Sequence, residues 1–162
     1  MNPIWYIIIP AIMIGLAIYF VRQTDRDQGN YATRSTEKVL NGFYLDIYNH
    51  CAKHIDEYER ERSACGLSSY LPKIQDFLAR YNNRPDYGNP DQVALTILWN
   101  FTSDDLKRGH YHFHIGSLTP EGLAVQSFAE HCVSLSLKNG YISKQDADEA
   151  LTSLYESIKT AG

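Results

Sequence analysis

Ile4 to Val21, IWYIIIPAIMIGLAIYFV, is an uninterrupted apolar run of 18 residues. As a helix it covers about 27 Å, enough for a hydrocarbon core of about 30 Å. Trp5 and Tyr6 stand at one end, Tyr19 and Phe20 at the other, where aromatic rings favour the two membrane interfaces. The rival reading is a cleaved signal peptide, which needs a basic leading segment and a small-x-small cleavage site. Here MNP carries no basic side chain and IYFVRQ follows the run. Residues 1–21 are therefore expected to form a retained single-pass anchor. Ala11 and Gly15 make a small-xxx-small pair that could seat a second helix closely, though a lipid-facing role explains them equally well.

The flanks set the expected orientation. No Lys or Arg precedes the span, whereas Arg22, Arg26, Arg34 and Lys38 follow it. Basic residues stay on the cytoplasmic side, which puts the short N-terminal tail outside and the rest of the chain inside an inner (cytoplasmic) membrane. All 15 basic and 19 acidic side chains lie after residue 21, for a net charge of −4. Their interspersed signs give no footprint for nucleic acid. Cys51, Cys65 and Cys132 are odd in number and form no C-x-x-C pair, so neither a disulfide framework nor a zinc ribbon is expected.

Residues 22–36 are polar, mixed in charge and without an apolar period, as in a linker. Residues 37–162 read as a mainly α domain of about five helices. In the first, Thr36 to Arg62, Val39, Leu40, Phe43, Tyr44, Ile47, Cys51, Ile55 and Tyr58 form one stripe. A second is expected from Ser68 or Ser69, burying Leu71, Ile74, Phe77 and Leu78. Asn89 followed by Pro90 can cap a third, yet residues 92–101 fit a strand period as well as a helical one. Thr119 with Pro120 opens a fourth, with Leu123, Ala124, Phe128, Cys132 and Leu135 inward. Ser143 with Asp146 opens a fifth, with Ala147, Leu151, Leu154, Tyr155 and Ile158 inward.

Chemistry is sparse. No H-E-x-x-H, P-loop, G-x-S-x-G or dinucleotide fingerprint is present, and neither an enzyme nor a cofactor is expected. The segment GHYHFHIG, Gly109 to Gly116, places His110, His112 and His114 on one face if extended. Two of them could reach one zinc, but a further ligand would have to come from elsewhere. His50 and His54 are four apart in the first helix and could supply it, with Asp46 and Glu57 in the same column. Ordinary half-buried alternation accounts for the segment more simply, with Tyr111, Phe113 and Ile115 facing the core and the histidines facing solvent or polar neighbours.

These features point first to a membrane-tethered helical interaction module, an accessory subunit or assembly factor whose partners are the lipid bilayer and a membrane protein complex. A histidine-ligated metal protein using residues 110–114 is the second reading. An immunity or inhibitor protein with an acidic surface is the third.

Overall fold

The computed structural model describes residues 40, 42–62, 66–81, 88–114 and 116–161. The chain divides between Val39 and Leu40 into two units, and every described residue belongs to the second. The apolar run at 4–21, with Ala11, Gly15 and its aromatic ends, lies outside the described residues, as do Cys65 and Ile115. Among the described residues no helix is long and apolar enough to cross a membrane.

The described unit is mainly helical. Helix α1 spans Gly42–Arg62, a 3-10 turn spans Leu67–Ser69, and α2 spans Tyr70–Ala79. Helix α3 spans Pro90–Lys107, a hairpin of β1 (His112–His114) and β2 (Ser117–Leu118) follows, and α4 (Pro120–Lys138) and α5 (Lys144–Thr160) complete the domain. The stripe expected on α1 is buried at Ile47, Cys51, Ile55 and Tyr58. After α1, the Leu67 amide donates to Glu59 Oε1 at 2.7 Å, folding the chain back onto the helix it has just left.

Helix α3 settles the choice between helix and strand at 92–101. Asn89 caps it, its side chain accepting from the Asp91 amide, and Pro90 takes the first helical position. Its buried residues, Ala94, Leu95, Ile97, Leu98, Thr102, Ser103 and Leu106, lie around much of its circumference because it packs against α1, α4 and α5. A central helix that is apolar on several faces satisfies a two-residue period by accident, which is why the sequence pattern was double.

The caps of α4 and α5 form as their spacing requires. Thr119 accepts from the Gly122 amide, and Ser143 and Asp146 form a reciprocal capping box. Two inward assignments need correction. Leu123 is 54% exposed, because the first turn of α4 meets the hairpin through Gly122 and turns Val125 inward instead. Tyr155 is also exposed, and its hydroxyl donates to Glu130 Oε1 at 2.9 Å.

The hairpin departs further from simple alternation. Strand β1 is three residues long, and its pairing with β2 is irregular, His112 opposite Leu118 and His114 opposite Ser117. Tyr111 packs against the core as expected, but Phe113 is 70% exposed and sits edge-on to the His114 ring. Three residues with a broken register are too few to impose a two-faced pattern.

Candidate metal centre

The histidines of the hairpin do not converge. The exposed His110 brings Nδ1 within 3.8 Å of Oδ1 of the largely buried Asp105. The His112 Nε2–H donates to the Ile158 carbonyl at 3.1 Å, fastening the hairpin to the end of α5. A carbonyl only accepts, so Nε2 carries a proton. The Nδ1 of the same ring is buried and has no hydrogen-bond partner. His114 is exposed against Phe113.

The pair on α1 is arranged differently. His50 and His54 stand one turn apart on α1, and the carboxylate they face belongs to Asp91. His50 Nδ1 lies 3.0 Å from Asp91 Oδ1, and His54 Nε2 lies 2.7 Å from the same oxygen. One ligand atom from each of the three residues falls within 4.8 Å of the others. His54 belongs to the buried edge of α1, not to its solvated face, because α3 packs over it through Asp91. Asp46 and Glu57 are not members of this group.

Asp91 is held from several directions. It is the second residue of α3, and its amide donates to Asn89 Oδ1 at 2.9 Å. Its other carboxylate oxygen, Oδ2, accepts from the Tyr141 hydroxyl at 3.0 Å and from Asn139 Nδ2 at 3.5 Å. Both donors come from the turn after α4. Tyr141 is itself located by Asn89 Nδ2, which donates to its hydroxyl, and by Gln92 Nε2, which donates to its carbonyl. Burial works against the charged carboxylate. The hydrogen bonds from His54 and Tyr141, with the charges of His54 and His50, outweigh it and hold Asp91 below the ordinary carboxylate range. The amino-terminal end of α3 adds a favourable dipole.

The neighbouring thiol takes no part. Cys51 also faces α3, donates to the Ala94 carbonyl, and is pushed up to about 12 by burial and by the nearby Asp91 charge. A thiol in that state is a poor nucleophile at neutral pH, and it is not a member of the His50, His54 and Asp91 group. Cys132 is also buried and raised. His131, half-buried against the Tyr58 ring, is kept low by burial and by Arg62.

Sequence spacing therefore marked His50 and His54 but missed Asp91. Its only local signal was an acidic residue just after a capped Pro90. No family model, curated protein or solved structure matches the chain.

Proposed function

We propose that the chain is a single-pass membrane-tethered helical interaction module, an accessory subunit or assembly factor of a larger membrane complex. The observation that carries this reading is the apolar run at 4–21, with aromatic residues at both ends and all nearby basic residues after it. The domain that follows has its own continuous core, built on α1, α3 and α4, and so brings a rigid surface to the membrane. Phe113, the most exposed large apolar side chain described, gives that surface an obvious first contact to probe.

Fractionation of the producing cell tests the anchor. Alkaline carbonate should leave the full chain in the membrane pellet, and deletion of residues 4–21 should move it to the supernatant. A full chain extracted by carbonate overturns the anchor. Protease applied to intact cells or spheroplasts should spare residues 37–162, and their digestion before lysis would overturn the orientation. Co-purification in mild detergent should recover a membrane partner, with less recovered from Gly15→Leu if the anchor seats against it. A chain recovered alone overturns the accessory-subunit reading.

A further inference from the structure

We propose that His50, His54 and Asp91 bind one divalent transition-metal ion of the zinc type, with water completing its coordination on the solvent side. Two imidazole nitrogens and one carboxylate oxygen form a donor set that suits zinc and its first-row neighbours. Calcium and magnesium take oxygen ligands almost throughout.

The geometry is close to what an ion requires. The two inward nitrogens lie 3.0 and 2.7 Å from the same Asp91 oxygen. Bonds of about 2.0–2.2 Å in a tetrahedral arrangement separate ligand atoms by roughly 3.3–3.5 Å. The trio must therefore open by several tenths of an ångström. The larger opening is between His54 and Asp91, while His50, with 37% of its side chain exposed, gives way more freely. On binding, each inward nitrogen offers its lone pair and the ring proton resides on the outward nitrogen. His54 and Asp91 are much less exposed, at 10% and 17%, so the site has a buried inner side and one solvent-facing side. Three protein ligands and an open position are the arrangement of zinc sites that retain water.

The surroundings are built in advance. Tyr141 and Asn139 hold Oδ2, leaving Oδ1 turned to the histidines before any ion arrives. The ligands sit on two packed helices, not on a loop, which limits the reorganisation that binding needs. A simple clamp between α1 and α3 would be complete with the bond from His54 alone. The second imidazole, from the same helix and onto the same oxygen, is redundant for a clamp and necessary for an ion.

The test is equilibrium dialysis of the full chain in detergent against zinc chloride, with elemental analysis. About one zinc per chain is expected, as for a specific site near full occupancy. Asp91→Asn and His50→Ala should each lose it, with helical circular dichroism unchanged. Since His50 is partly exposed, its variant keeps the test valid even if Asp91→Asn fails to fold. Tyr141→Phe should weaken binding by about tenfold, as outer-shell changes do. The combined His110→Gln, His112→Gln and His114→Gln variant should bind as the parent does. Less than about 0.2 zinc per chain overturns the proposal. So does binding that survives His50→Ala, or that disappears with the hairpin variant alone.

Discussion

His54 Nε2 and Asp91 Oδ1 lie 2.7 Å apart and join α1 to the first turn of α3 across 37 residues of sequence. The pair is largely removed from solvent, and the carboxylate also anchors the turn after α4 through Tyr141. One side chain thus ties three parts of the fold together.

Asp91→Ala is accordingly expected to destabilise the metal-free protein by about 2–3 kcal/mol, since it strands the buried His54 ring and frees the Tyr141 hydroxyl. Asp91→Asn, which keeps an acceptor for one partner, should cost less. Urea unfolding followed by circular dichroism measures both. A neutral Asp91→Ala would mean that the network contributes nothing beyond what water supplies.

Gly122→Ala sets two effects against each other. Alanine is favoured over glycine by about 1 kcal/mol in a helix interior, and by less in a first turn such as this one. A Cβ at this position, however, would stand 2.6 Å from Tyr111 Cβ and 3.1 Å from the Tyr111 carbonyl oxygen. Neither is the free end of a flexible side chain, so the hairpin itself must move. The clash should win, with a net loss of about 1–2 kcal/mol and a lower melting temperature. A gain in stability would show that the hairpin is not pressed against α4.

The capping box of α5 should make stability depend on acid. Asp146 accepts from the Ser143 hydroxyl and the Ser143 amide, which hold its carboxyl below the ordinary value of 3.8. A carboxyl depressed in the folded state stabilises it above the ordinary pKa. That contribution is lost as pH falls through the depressed value. The unfolding midpoint of the parent should therefore drop faster than that of Asp146→Asn below about pH 4. Ser143→Ala should cost about 1 kcal/mol at neutral pH. Parallel pH profiles for parent and Asp146→Asn would remove the box as an energetic element.

What the sequence disclosed and what it concealed divide along the range of the interaction. The caps at Asn89, Thr119 and Ser143 act over two or three residues, and each forms the bond its spacing implies. The column of His50 and His54 is equally local. Asp91 joins them only because α3 packs across α1, and no periodicity within either helix encodes that meeting. The same limit explains Leu123 and Gly122. A glycine gives no signal in an apolar stripe, yet it decides which face of α4 can approach the hairpin. Alternation in GHYHFHIG failed for Phe113 because the paired segment is too short to enforce it.

That segment yields a final discrimination among its three histidines, which the alternating pattern would treat alike. His112 donates from Nε2 to the Ile158 carbonyl and buries its Nδ1, whereas His110 is 60% exposed and His114 is exposed beside Phe113. Removing the His112 ring loses the hydrogen bond to α5 and leaves the Ile158 carbonyl unanswered unless water enters. Some compensation comes from relieving the unpartnered Nδ1, because an unsatisfied buried polar atom disfavours the folded state. The bond and the ring packing outweigh that relief, so His112→Ala should cost about 1–2 kcal/mol. His110→Ala and His114→Ala should each fall within about 0.5 kcal/mol of the parent, as surface changes do. Denaturant midpoints of the three single variants decide it. Equal costs at all three positions would mean that the hairpin is not fastened to α5 through His112.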